Sequence, residues 1–156
     1  MNINRFSIDA VNADDYPVLS DVWESSVKAT HHFLALDDFQ FYKKLVPEFL
    51  TQVSLKCLKN ESGRIIGFMG TNNEALEMLF IAAEERGHGA GRQLLHYAFE
   101  HSGITKVDVN EQNTAAVSFY NYFGFETVGR SESDGFGKPY PVLHMELSKR
   151  GRSVAF

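Results

Sequence analysis

Arg86-Gly87-His88-Gly89-Ala90-Gly91 stands between a strongly apolar run, Ala75-Leu76-Glu77-Met78-Leu79-Phe80-Ile81, and a segment whose apolar residues Leu94, Leu95, Ala98 and Phe99 fall at helical spacing. A strand, a glycine-rich turn and a helix in that order put unpaired backbone N–H groups and the positive end of the helix dipole at the turn, an arrangement that holds phosphate. Glycine suits the turn because a side chain would block a diphosphate or forbid the positive φ that turns N–H groups inward. Arg86, His88 and Arg92 set cationic or protonatable groups beside it. The glycines alone leave a second reading open, a tight strand-to-helix turn without a ligand.

Other phosphate patterns fit this stretch less well. The Walker turn needs Lys and then Ser or Thr after its last glycine, and Arg92-Gln93 stand there instead. The Rossmann fingerprint comes closer, with Gly89-Ala90-Gly91 after a strand and Asp108 near the end of the next, but Leu94 occupies the place of its third glycine. The strand also follows two hairpins rather than opening a βαβ repeat.

Upstream, the strand-like runs Gln52 to Lys59, Arg64 to Gly70 and Glu74 to Ile81 are joined by short polar connectors, which makes antiparallel hairpins. Before them, the alternation of Ile3, Phe6 and Ile8 over Asn4 to Ala10 predicts a strand. Asp14-Asp15 then cap a helix through Tyr16, Leu19, Val22, Trp23, Ser26 and Val27, and a second helix runs from Asp37 or Asp38 towards Leu50, with Pro47 expected to disturb its end. Downstream, Gly103 closes the helix after the turn and Ile104 to Asn110 reads as a strand, so the strand–helix–strand unit implies a parallel pair. Ala116, Phe119, Tyr120 and Phe123 form a last helical stripe stopped by Gly124, and the strands Phe125 to Arg130 and Pro141 to Leu147 flank a polar loop. The expectation is one mixed α/β domain over residues 1–148, of about seven strands and four helices, with a loose tail at 149–156.

With 156 residues, 44% hydrophobic and 13% aromatic, the chain can bury one sizeable core. A net charge of -5 argues against a general nucleic-acid or anionic-membrane binder, since both reward a broad excess of Lys and Arg. Cys57 stands alone, so no disulfide framework is expected; with no apolar leader segment and no run of about 18 apolar residues, the cytoplasm is the expected compartment. His31-His32 are poorly placed to share a metal on one helix face, and no metal is expected.

The turn is followed, in the correct order, by Asn113-Thr114-Ala115-Ala116-Val117-Ser118-Phe119-Tyr120-Asn121-Tyr122-Phe123-Gly124-Phe125. Together these stretches resemble the GNAT superfamily of acetyltransferases, whose phosphate turn has the form (Gln/Arg)-x-x-Gly-x-(Gly/Ala) and whose later helix carries an asparagine, Phe-Tyr and Gly-Phe. Ala29-Thr30-His31-His32-Phe33-Leu34 and Gly137-Lys138-Pro139-Tyr140-Pro141 are similar to segments of a small bacterial subgroup. The resemblance covers essentially the whole chain. It implies acetyl-CoA as cosubstrate, an amine of a small molecule or a peptide as acceptor, direct transfer without an acyl-enzyme, and a monomer or homodimer.

Tyr120 lies seven residues after Asn113, about two helical turns, so both project from nearly one face with Ala116 between them. Residue chemistry alone leaves Tyr120 as core and Asn113 as a helix cap. The resemblance implies that Tyr120 protonates the CoA thiolate, that Asn113 contacts the pantetheine arm, and that backbone groups of Leu79, Phe80 and Ile81 face pantetheine and thioester. Strand alternation puts Glu77 on the face of Leu79 and Ile81, where partial burial would raise its pKa towards that of a general base; Glu74, Asp108, His31 and His144 are reserves. Trp23, Thr30, His31 and Phe33, with Tyr140 from the late loop, are the expected acceptor pocket. A CoA-binding sensor without turnover is the rival reading.

Overall fold

The computed structural model describes residues 5–148, so the start of the first expected strand and the expected tail lie outside the described residues. The elements are β1 (Ser7–Ala10), α1 (Tyr16–Thr30), α2 (Leu36–Leu50), β2 (Ser54–Lys59), β3 (Ile65–Asn72), β4 (Ala75–Ile81), α3 (Ala90–Ser102), β5 (Lys106–Asn110), α4 (Thr114–Tyr122), β6 (Phe125–Ser131) and β7 (Val142–Leu147). Single 3₁₀ turns at Ala13–Asp15 and Ala83–Glu85 precede α1 and the glycine turn. Pro47 sits inside α2, which nevertheless reaches Leu50: its missing N–H falls in the last turn, where one lost bond does not stop the helix.

All seven strands form one sheet in the order β1-β2-β3-β4-β5-β7-β6. Every neighbouring pair is antiparallel except β4 and β5, the parallel pair expected around α3. Two apolar clusters fill the two sides. One gathers Leu19, Val22, Trp23 and Val27 of α1, Phe39, Val46 and Leu50 of α2, and Cys57 and Phe68 of the sheet. The other gathers Leu94, Leu95 and Ala98 of α3, Tyr120 and Phe123 beside α4, and Leu76, Ile81, Val107 and Met145 of the sheet. Leu94, the residue that breaks the Rossmann pattern, is fully buried, as are Leu19 and Leu95; truncating any of them to Ala would cost about 2–5 kcal/mol.

Two features of β4 shape the site. Its register with β3 runs Gly70↔Met78 and then Thr71↔Leu76, leaving Glu77 as the extra residue of a bulge. With β5 it pairs only at Ala75↔Lys106 and Leu76↔Val107, after which the strands part. Gly67 of β3 holds the sheet tight against this strand: a Cβ there would lie 2.6 Å from Ile81 Cδ1 and 3.1 Å from the Phe80 carbonyl oxygen.

Candidate active site

The parted strands open a groove of about 350 Å³ lined by Leu79, Phe80, Ile81, Arg86, Gly87, Gly89, Ala90, Gly91, Arg92, Asn113, Ala116 and Tyr120, with Ser26, Thr30, His31, Glu85, Ala115 and Phe119. Of the residues expected to hold the cosubstrate only His88, which is exposed, is not part of the lining. The Ala82 N–H donates to the Ile66 carbonyl at 2.8 Å, which fixes the alternation along β4. Even-numbered backbone groups therefore turn towards β3, and those of Leu79 and Ile81 turn into the gap that β5 has left. In this register the Phe80 N–H and carbonyl turn to β3 rather than into the gap, which corrects the expectation that it offers its backbone, although Phe80 still lines the groove.

At the end of the groove Gly87 and Gly89 both take φ of 83°, the left-handed region that favours glycine, and Gly89 is the N-cap of α3. No heavy atom lies within 4 Å of a Cβ built on either, so the backbone conformation demands glycine there. Gly91 runs under Phe119, whose ring atoms would be 3.6 Å and 3.7 Å from its Cβ. The α3 N-terminus, flanked by Arg86 and Arg92, thus lies open at the end of the groove, with the positive end of the helix dipole towards it.

Along the other wall, Asn113 caps α4: its side-chain oxygen accepts from the Ala116 N–H at 3.2 Å, which leaves its NH₂ to donate into the groove. The cap and the groove roles therefore use different atoms. Tyr120 is 7% exposed, with its ring edge-on to Phe119 at 5.2 Å and to Phe125 at 5.6 Å. Among the described residues nothing hydrogen-bonds its hydroxyl, and burial pushes its pKa up, so it stays protonated. A buried, proton-bearing hydroxyl without a partner is a site for a ligand atom.

On the α1–α2 side a second cavity, of about 260 Å³, is lined by Trp23, Val27, His31, Phe33, Tyr42, Phe49, Glu77, Met78, Phe80, Asp134, Phe136 and Tyr140, among others. The expected acceptor residues Trp23, His31, Phe33 and Tyr140 come together there; Thr30 lines the groove instead. Phe80 and His31 belong to both linings, so the two spaces share a seam. His31 ends α1, with its ring 5.2 Å from Phe33, and its imidazole pKa is lowered to about 4, first by burial and then by the neighbouring His32.

The reading of Glu77 is corrected in two respects. The bulge breaks the alternation, so Glu77 joins Met78 and Phe80 in lining this second cavity rather than sharing a face with Leu79 and Ile81. It is also exposed, not partly buried. Among the reserves, His144 donates from Nδ1 to the Asp108 carboxylate at 2.8 Å and its Nε2 hydrogen-bonds the Ser131 hydroxyl at 2.7 Å, a polar row across β5, β7 and β6 beside the cavity mouth.

The sequence brings the late loop with Phe136 and Tyr140 to this pocket, but does not show its anchors at the start of α2 and along it. The Tyr140 hydroxyl donates to Asp38 and accepts from the Ala35 N–H at 3.0 Å, while Lys138 pairs with Asp38 at 2.9 Å. Tyr42 donates to Asp134, and Phe136 packs on Phe41 at 5.4 Å and on Phe49 at 5.9 Å. The aromatic content of α2 and of the loop was visible in the sequence, but their pairing spans about a hundred residues and leaves no local signal.

Among the described residues no group of three or more His, Cys, Asp or Glu could hold a metal, and no helix is long and apolar enough to cross a membrane. Residues 26–148 match the family model described as "Acetyltransferase (GNAT) domain". The peptidyl-lysine N-acetyltransferase YjaB of Salmonella typhimurium is 40% identical over 124 residues, covering 80% of this chain and 86% of that protein. YjaB of Escherichia coli is also 40% identical over 124 residues, covering 80% and 84%. The solution structure of apo YjaB from Escherichia coli superposes with a TM-score of 0.84 at 38% identity, over 90% of this chain and 96% of that one. The PaiA N-acetyltransferase of Thermoplasma acidophilum, solved with coenzyme A, shares the fold with a TM-score of 0.70 at 20% identity, over 90% and 98%. The open glycine turn, the parted strands and these matches agree: the chain belongs to the GNAT family of acetyltransferases.

Proposed function

We propose that this acetyltransferase moves the acetyl group of acetyl-CoA directly to the side-chain amine of a lysine in a peptide or protein. The observation that carries the reading is the shared seam: a groove shaped for a phosphate-tailed thioester and an aromatic, carboxylate-bearing cavity meet at His31 and Phe80. A lysine stem fits between Trp23, Phe33 and Phe80, and its ammonium is drawn by Glu77 and Asp134 at the cavity wall. The similarity to peptidyl-lysine acetyltransferases at 40% identity supports that acceptor over a free polyamine.

In this reading the α3 N-terminus, Arg86 and Arg92 hold the diphosphate, the Asn113 NH₂ bonds the pantetheine arm, and the Leu79 and Ile81 backbone groups meet its amides and the thioester carbonyl. An N–H aimed at that carbonyl stabilises negative charge as it develops on oxygen. Tyr120 gives its proton to the departing thiolate, and Glu77 receives the acceptor's ammonium. Cys57 takes no part: it is fully buried in the α1–α2 core, and burial raises its thiol pKa.

Two-substrate kinetics with acetyl-CoA and a lysine peptide test this. Thiol release that depends on the peptide, with intersecting double-reciprocal lines and unchanged rates for Cys57→Ala, is expected. Parallel lines would refute direct transfer, and release with polyamines but with no lysine peptide would move the acceptor to small amines.

A further inference from the structure

Acetyl transfer to an ammonium moves two protons off nitrogen and one onto sulfur, and Glu77 accounts for only one of them. Four ionisable groups, the reserves Glu74, Asp108, His31 and His144, remain for the second. Glu74 is bonded to the Thr105 hydroxyl, and Asp108 and His144 are bonded to each other. Glu77 lines the acceptor cavity but not the groove. Only His31 lines both.

Its tautomer can be read from its neighbours. The Thr30 hydroxyl lies 2.8 Å from the Ser26 carbonyl oxygen and 2.7 Å from His31 Nδ1. A carbonyl only accepts, so the single hydroxyl proton goes to Ser26. Thr30 Oγ1 must then accept from His31, which puts the imidazole proton on Nδ1 and leaves the lone pair on Nε2. Among the described residues nothing bonds Nε2. The α1 C-terminus fixes the backbone beneath the ring, since the His31 N–H donates to the Val27 carbonyl at 2.8 Å.

We propose that His31, held by Thr30 as the Nδ1–H tautomer, is the base that takes the second proton from the attacking amine at the seam. This rests on the function proposed above. The arriving ammonium loses its first proton beside Glu77. Its nitrogen lone pair then forms the C–N bond while the carbonyl π pair moves to oxygen. The N–H proton of the adduct passes to His31 Nε2. As the carbonyl re-forms, the C–S bond breaks, sulfur leaves with the electron pair and Tyr120 protonates it. The proton on His31 returns to the Tyr120 oxygen through solvent, so amide, thiol and one released proton balance the reaction. The depressed pKa of His31 is consistent with this cycle, because it keeps Nε2 free before attack and makes the protonated ring a ready donor afterwards.

Imidazole ¹⁵N NMR of the free protein is expected to show His31 protonated at Nδ1 and bare at Nε2, with the preference weakened in Thr30→Val. For His31→Ala, kcat falls about 100-fold with the acetyl-CoA KM within twofold, and added imidazole restores part of the rate. A proton on Nε2 in the free protein, an unchanged kcat, or a loss that imidazole does not restore would each overturn the proposal. A wild-type protein inactive on every amine would instead overturn the proposed function, and the NMR result would stand apart from it.

Discussion

Tyr120 shows how one residue can satisfy two readings at once. It packs edge-on against Phe119 and Phe125 as a core aromatic, and its hydroxyl is left without a partner in the groove. Tyr120→Phe keeps the rings and removes only the proton, so kcat is expected to fall about 10²–10⁴-fold while calorimetry returns an acetyl-CoA Kd within about twofold of wild type. An unchanged kcat would take Tyr120 out of the chemistry. Tyr120, Asn113 and the three turn glycines were legible in the sequence because helical spacing and glycine's conformational freedom are local properties. Glu77 was misread because its direction depends on the register between β3 and β4: one extra residue re-aims a side chain that alternation assigns elsewhere. The His31 tautomer was likewise illegible, since it needs the angle at which α1 ends.

At the scale of elements, the order of strands and helices and the parallel pair around α3 were readable from periodicity and turn residues. The parting of β4 from β5 was not. It follows from β4 being held to β3 on both sides of its bulge, up to Ile81, but to β5 at only two residue pairs, which no single segment reveals. The consequence can be followed amide by amide. In the free protein the N–H groups of Leu79 and Ile81 are expected to exchange with solvent deuterium much faster than that of Phe80, which faces β3. Acetyl-CoA is expected to slow the first two and leave Phe80 unchanged. Equal protection of all three before the ligand is added would mean that the gap is closed.

For the whole molecule, the strap from the late loop to α2 makes the acceptor cavity sensitive to pH at both extremes. The Tyr140 hydroxyl, and after it Lys138, hold the Asp38 carboxyl below the usual carboxylate range, so its stabilisation is present at neutral pH and lost as pH falls through that lowered value. Lys138 is held above the usual ammonium range by its bond to Asp38, and its contribution is lost as pH rises through that raised value. The melting temperature is expected to be flat between about pH 7 and 9, to fall below the ordinary imidazole pKa of about 6.5 as the unfolded chain protonates His31 and further below about 4 with Asp38, and to fall again above about 10. Lys138→Met should blunt both the alkaline limb, to which Tyr42 and Tyr120 also contribute, and the part of the acid limb below about pH 4; limbs identical to wild type would show that the strap adds nothing to stability.

The gap between β4 and β5 also means that the sheet carries an unpaired edge in its interior, one that a pantetheine arm with its two amides can occupy as a stand-in for the missing strand. A protein completed by its own acyl donor has a durability tied to metabolism: at a hundred times its Kd, that donor adds about 2.7 kcal/mol to the folded state. When the donor pool is drained, the enzyme would lose its reactant and part of its resistance to unfolding together, so its abundance as well as its rate would report the supply.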